Sequence, residues 1–322
     1  VNSEHDWLRR LGAAIGPLSP AIRVGIGDDA AVLSPPPGDL LATVDACLEG
    51  VHFTRAIASL EDVGFRSFMA AVSDLAAMAA RPLAALSALT LPPGFSEEEL
   101  DQLVAGQRLA ALAARTPLVG GNLSRGGCLS VTTTALGHAA RPALRSGAAP
   151  GHRLWLAGPV GLAAAGLRAL LRGIPAEDGA LHRCVLAWRR PDARLDQGAA
   201  VASRIAAMID ISDGLAQDAE HLAIAGGVRL VLQAEAALAA AGPALLEAAA
   251  ALGEDPCDLA LSGGEDYALL AASPDDLGPH GFVEIGAVEP GTPGVTVLRG
   301  GAPWRPPPGF DHGEKQEKLP RS

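Results

Sequence analysis

Aromatic side chains are scarce in this chain: Phe, Trp and Tyr make up 3% of 322 residues, with a single Tyr. Basic residues are also in the minority, 25 Lys plus Arg against 36 Asp plus Glu, giving a formal charge of −11. Nucleic-acid binders draw their affinity from Lys and Arg on phosphates, and no basic block is present here, so a nucleic-acid partner is not expected. Cysteine is sparse and dispersed. Cys47, Cys128, Cys184 and Cys257 form no C-x-x-C pair, which argues against a zinc knuckle or a secreted disulfide framework and for reduced thiols in a cytoplasm.

Long apolar runs are missing too. The stretch 154–167 is uncharged but carries Gly158, Pro159, Gly161 and Gly166 and falls short of the ~20 residues that span a bilayer. The segment 231–252 is interrupted by Glu235, Pro243 and Glu247, so no membrane partner is expected. Glu4, His5, Asp6 and Arg9 precede any apolar run, unlike a signal peptide. Walker A, G-x-S-x-G and H-E-x-x-H patterns are absent, which removes the usual phosphate-loop, hydrolase and zincin readings.

What is present is an Ala- and Gly-rich chain long enough for two domains, at roughly 100–200 residues each. Ser59-Leu-Glu-Asp62 reads as a capping box opening a helix to about Ala80, closed by Arg81-Pro82. Ser96-Glu-Glu-Glu99 opens a second helix that ends before Thr116-Pro117. Strand patterns occupy 40–44, 83–91 and 129–137, the last with Leu129, Val131, Thr133 and Ala135 alternating with Ser130, Thr132 and Thr134. This mixture without a regular βα repeat predicts an α+β fold. The turn-rich stretch 141–151 is the expected linker. Beyond it come a strand at 153–157, a helix from Gly161, a helix over 193–208, and a helix over 213–225 stopped by Gly226-Gly227.

The acids sit where chemistry can use them. Carboxylates recur beside glycines or at element ends: Asp28 and Asp29, Asp45, Asp210 and Asp213, Glu265 and Asp266. Asp74 lies within a helix whose i±3 and i±4 neighbours are Ala70, Ala71, Ala77 and Met78. An ionised carboxylate on such a face needs a partner, whether an Arg, a backbone N–H or a metal ion. Oxygen ligands without nearby His or Cys indicate Mg²⁺ rather than zinc. Residues 25–30 also satisfy G-x-G-x-x-A, with Asp45 near the spacing of a ribose-binding acid. That fingerprint needs a helix opening on its loop, and Ser34-Pro-Pro-Pro-Gly38 leaves barely one turn for it. An acid-lined site that gathers Mg²⁺, and ATP through it, suits phosphoryl transfer, where positioning and charge stabilisation suffice.

Eight motifs stand in a familiar order: GIGDDAAVL (25–33), TVDACLEGVHF (43–53), AVSDLAAMAA (71–80), GGNLSRG (120–126), RSGAAPG (145–151), IDISDGL (209–215), LSGGEDY (261–267) and GFDHG (309–313). Over 1–312 the chain resembles the thiamine-monophosphate kinases, within the wider family of aminoimidazole ribonucleotide synthetase and selenophosphate synthetase. The resemblance implies transfer of the ATP γ-phosphate to thiamine monophosphate, with several Mg²⁺ ions. It implies metal ligation by Asp28, Asp29, Thr43, Asp45, Asp74, Asn122, Asp210 and Asp213, and nucleotide contacts from Gly120, Gly121, Arg145 and Ser212. His52, Glu265 and Phe310 would face the substrate. It implies two α+β domains, which with the turn-rich stretch at 141–151 become an ATP/Mg-binding and dimerisation domain over 1–140 and an α+β domain over 141–310; the polar end, 311–322, reads as a flexible tail. The N-terminal mixed sheets of two chains would pair into a shared barrel, making a homodimer. The chain departs from the family pattern at Asn122, where an Asp is usual, and at Leu123, Leu162 and Ala46. Two alternatives stay open: a non-catalytic nucleotide-binding dimer, and a related ATP-dependent enzyme with another acceptor.

Overall fold

The computed structural model describes residues 20–309. Within them the chain gathers into two compact units, one of 20–75 and 81–140, the other of 76–80 and 141–309. The architecture is mixed α+β with mixed sheets.

In the first unit a short antiparallel pair, β1 (Ile22–Val24) and β2 (Val32–Leu33), precedes β3 (Asp39–Leu48), α1 (Leu60–Ala77), β4 (Arg81–Leu91), α2 (Glu97–Ala113), β5 (Leu118–Arg125) and β6 (Ser130–Ala139). The four longer strands form a sheet in the order β3-β6-β4-β5, antiparallel except for the β4–β5 pair that α2 joins. Both helix starts are set by local chemistry. Ser59 Oγ accepts the Asp62 N–H at 3.1 Å and donates to Asp62 Oδ2 at 2.8 Å. Ser96 and Glu99 form the full reciprocal box. α1 and α2 cross at glycines: a Cβ on Gly64 would stand 2.0 Å from the Leu103 carbonyl oxygen, and one on Gly106 1.9 Å from that of Glu61. Arg81-Pro82, expected to close the first helix, instead begins β4. The helix ends at Ala77, and Pro82 sits beside a register shift near the start of the strand, where its missing N–H is tolerated. Along β3, Leu41 and Cys47 are buried on one side while Leu40, Ala42, Val44 and Ala46 are exposed on the other.

The second unit is built on seven strands: β7 (Arg153–Ala157), β8 (Ala207–Ile211), β9 (Arg229–Gln233), β10 (Ala268–Ser273), β11 (Val283–Glu289), β12 (Gly294–Arg299) and β13 (Ala302–Trp304). Their order is β13-β12-β9-β11-β7-β10-β8, with β12–β9 the parallel pair. Seven helices complete it: α3 (Leu162–Leu171), α4 (Gly179–Arg189), α5 (Leu195–Ala200), α6 (Leu215–Gly226), α7 (Ala234–Ala241), α8 (Pro243–Leu252) and α9 (Pro256–Ser262). One sheet face buries Leu154, Leu156, Ile209, Ile211, Leu230 and Leu270 against helices, and Trp155, Met208, Leu269 and Phe282 fill a second core. The helix expected over 193–208 is a correction. Only Leu195–Ala200 is helical, and Ala207–Ile211 is a strand paired with β10, Met208 opposite Ala271 and Asp210 opposite Leu269. A short apolar run carries no decisive period, and here the pairing and the two cores select the strand. Gly227, in the left-handed region, caps α6 as expected.

Among the described residues no single helix is long and apolar enough to cross a membrane. The pair α7 and α8, bent by 98°, passes on composition, and its Ala237, Leu245 and Ala249 lie in the core. None of the four cysteines, all within the described residues, is joined in a disulfide.

Gly106→Ala is expected to lower unfolding free energy by about 1–3 kcal/mol, because the added methyl must push two helix backbones apart. Urea denaturation checks this; an unchanged midpoint would show that the crossing is looser than the geometry states.

Candidate active site

Two groups of carboxylates form, one in each unit. In the first, the alternation of β3 places Thr43 and Asp45 on the same side of the sheet as buried Leu41 and Cys47. The Thr43 hydroxyl donates to Asp74 Oδ2 of α1. Burial, reinforced by the Asp74 charge, pushes the Asp45 carboxyl up to about 6. Across the sheet Asp45 is in register with Thr133 of β6, and Thr133 with Ser87 of β4. The Thr133 hydroxyl is fully buried and has no hydrogen-bond partner among the described residues. Ser87 Oγ accepts Gln107 Nε2–H from α2 at 2.7 Å. The interior side of this sheet therefore carries a polar row ending in two carboxylates.

Following β3, His52 Nδ1 accepts the Leu48 N–H at 3.1 Å, which puts the ring proton on Nε2. Arg55 braces this turn, pairing with Glu49 at 2.8 Å and Glu99 at 2.9 Å. Asp28 and Asp29 stand on the exposed β1–β2 connection, where the Asp29 N–H donates to Asp28 Oδ1 at 2.9 Å. No helix opens between 25 and 38, so the dinucleotide fingerprint lacks its helix. Gly120, Gly121 and Asn122 belong to strand β5. By register Gly121 aligns with Ser87, whereas Asn122 aligns with exposed Ala88 and is itself exposed on the opposite side from Asp45.

In the second unit, Asp210 lies in β8, a strand buried along its whole length, and is itself 5% exposed. Ser212, Asp213 and Gly214 then turn into α6. All three of their N–H groups donate to one oxygen, Asp218 Oδ2, at 3.0, 3.0 and 3.1 Å. Burial pushes the Asp218 carboxyl up to about 7; the backbone N–H bonds oppose the shift, and the Asp213 and Asp210 charges add to it. Ligand atoms of Asp213, Asp218 and His221 lie within 4.8 Å of one another. The 263–267 loop docks on the same turn, with the Glu265 N–H donating to the Ser212 carbonyl at 2.7 Å and the Tyr267 N–H to that of Ile211 at 2.8 Å. Gly264 permits this, since a Cβ there would stand 2.5 Å from the Ser212 oxygen.

Glu265 has φ of 63°, in the left-handed region, and its Oε2 accepts the Trp188 Nε1–H at 2.7 Å. Asp266 is pushed up to about 7 by burial, and its carboxylate accepts the Gly161 and Ala163 N–H groups at 2.6 and 3.1 Å. Arg145 is exposed on the 140–152 segment. Phe310 lies outside the described residues. The structure thus brings Thr43, Asp45 and Asp74 together in one unit, and Asp210, Ser212, Asp213 and the Glu265 backbone in the other. Sequence reasoning passed over Asp218 and Trp188, and it singled out Asp266 beside Glu265 without giving it a role. The test that singled out Asp74 would have found Asp218, whose helical neighbours include Leu215 and Leu222.

Residues 27–139 match the model of the AIR synthase related protein N-terminal domain, which sets the class. Thiamine-monophosphate kinase from Mycobacterium tuberculosis is 38% identical over 286 residues, 88% of this chain and 84% of its own. The solved structure of AaThiL complexed with AMPPCP and TMP superposes with a TM-score of 0.80 at 31% identity, covering 96% of this chain and 95% of that one. Thiamine-monophosphate kinase from Stenotrophomonas maltophilia gives a TM-score of 0.80 at 31% identity, covering 91% and 94%. The chain belongs to the thiamine-monophosphate kinase family.

Asp45 supplies a pH prediction. Its carboxyl is raised in the folded protein, so ionising it costs stability as pH climbs from the unfolded value near 3.8 through about 6. Asp45→Asn is therefore expected to stabilise the metal-free protein by about 3 kcal/mol at pH 8 and not at pH 3.5. Urea midpoints of both proteins in chelator check it; a difference independent of pH would contradict the shift.

Proposed function

We propose that this chain transfers the γ-phosphoryl group of ATP to thiamine monophosphate, giving thiamine diphosphate and ADP. The observation that carries the reading is the likeness, over nearly the whole length of both chains, to a structure complexed with both AMPPCP and TMP. The bond from Pγ to the bridging oxygen of ADP breaks as a bond forms from Pγ to a phosphate oxygen of thiamine monophosphate. A phosphate acceptor already carries its nucleophilic oxygen, so the reaction needs no protein base.

The residues fit Mg²⁺. Asp45 and Asp74 crowd together beside a buried Thr133 hydroxyl that lacks a partner among the described residues. In the second unit Asp210 and Asp213 offer oxygens at a turn, next to the Asp218 carboxylate. Hard oxygen donors of this kind suit Mg²⁺. In this reading the ions would be held by Asp28, Asp29, Thr43, Asp45, Asp74, Asp210 and Asp213, whereas Asn122, on the opposite side of the sheet from Asp45, stands outside that set. When bound, they would neutralise phosphate charge in the transfer. Ser212, Arg145, Gly120 and Gly121 contact the nucleotide, while His52, Glu265 and Phe310 orient the thiamine end. The His52 tautomer presents an Nε2 proton as a donor, and the Trp188 bond fixes the Glu265 carboxylate.

The same reading assigns ATP and Mg²⁺ binding and dimerisation to 1–140 and the remainder of the site to 141–310, in a cytoplasmic enzyme. Two chains pair their four-stranded sheets into a barrel. The exposed β3 face supports this, with Leu40 and Val44 at 59% and 61% exposure on a side that an ordinary core would cover.

Incubation with ATP, Mg²⁺ and thiamine monophosphate is expected to yield thiamine diphosphate and ADP in equal amounts, and Asp213→Asn to lower kcat at least tenfold. Nucleotide bound without turnover, or turnover only with another acceptor, would overturn the assignment. Val44→Glu is expected to convert the dimer to monomer in light scattering; a wild-type protein that is monomeric at micromolar concentration would refute the barrel.

A further inference from the structure

We infer that Asp218 is the positioning residue of the 210–214 segment, its carboxylate fixing the turn that presents the Asp210 and Asp213 oxygens to a divalent cation. The use made of that cation rests on the kinase reading above; the geometry does not. Three consecutive N–H groups converge on a single oxygen of a side chain only 3% exposed. Such convergence needs a concave backbone, and Gly214 provides it at φ of 125°, where a Cβ would stand 2.9 Å from the Ser262 carbonyl oxygen.

Two consequences follow for the chemistry of the turn. Its N–H groups are taken by Asp218, so the main chain has none left there for a phosphate, and contact with an anion must pass through oxygen-bound cations or the Ser212 hydroxyl. The turn is also pinned from the far side, because the carbonyls of Ile211 and Ser212 accept the Tyr267 and Glu265 N–H groups. With donors drawn inward and carbonyls drawn to the 263–267 loop, the Asp213 carboxylate keeps one orientation. It lies beside a second carboxylate that repels it and adds to the local attraction for a cation. Helix capping alone does not account for this arrangement: the Asp218 N–H already bonds the Gly214 carbonyl at 2.9 Å in the ordinary way.

The test uses the full chain with Mn²⁺ as the probe, titrated by electron paramagnetic resonance in the presence of a non-hydrolysable ATP analogue, alongside hydrogen exchange of the peptide spanning 209–218. In the wild type, the three turn amides are expected to be protected. Asp218→Ala is expected to speed their exchange and to weaken Mn²⁺ binding about 10–100-fold, the range typical of groups that orient metal ligands. Asp218→Asn keeps one acceptor oxygen and is expected to restore protection and part of the affinity. A folded Asp218→Ala protein with wild-type Mn²⁺ affinity would overturn the inference. Should that variant not fold, unprotected turn amides in the wild type would overturn it equally, as would an Asp218→Asn protein that keeps wild-type Mn²⁺ affinity while its turn amides exchange freely. Absence of thiamine diphosphate formation by the wild type would sink the kinase reading and leave the exchange and Mn²⁺ results to decide this one.

Discussion

Two carboxylates placed side by side in a partly desolvated corner repel each other, and a fold that keeps them there works against its own stability. Asp45 and Asp74 stand in this relation, with the Thr43 hydroxyl as the hydrogen-bond partner of Asp74 and the Asp45 carboxyl raised to about 6. Asp210, Asp213 and Asp218 repeat the crowding in the second unit. Burial and like charge act in the same direction at both places, and a cation reverses the sign of the charge effect. The rest of the structure can be understood as what holds these acids in spite of their repulsion.

Two devices do the holding. The first is close backbone approach at glycine: Gly64 and Gly106 let α1 and α2 cross near contact, and Gly264 lets the 263–267 loop lie on the Ser212 carbonyl. The second is the use of acids as internal anchors. Asp218 gathers three N–H groups and Asp266 two, so each is matched by backbone donors and fixes a helix start. Asp45 draws no such donors among the described residues and is the acid left for chemistry.

Much of this was legible in the sequence, and the parts that were not have identifiable causes. Ser59 with Asp62 and Ser96 with Glu99 marked both helix starts of the first unit, because capping is local. The alternation in β6 marked its strand for the same reason. Strand β5 was hidden: Gly120, Gly121 and Asn122 have low strand propensity, and parallel pairing with β4 makes the strand. Strand β8 was hidden by an apolar run that fits either period. Asp74 was readable from helical spacing alone, and Asp218 was readable by the same rule. The polar row from Asp45 through Thr133 to Ser87 depends on register across three strands, which no local pattern encodes. Family membership was legible through the order of eight short motifs.

The most direct test of the central claim is the proton count of divalent-cation binding, measured by calorimetry in buffers of different ionisation enthalpy. If Asp45 is held up near 6 by burial and Asp74, Mg²⁺ with a non-hydrolysable ATP analogue should displace about half a proton from it at pH 6 and almost none at pH 8. Asp45→Asn should remove that release. The same proton count at both pH values, unchanged in the variant, would contradict the picture of crowded carboxylates waiting for a cation.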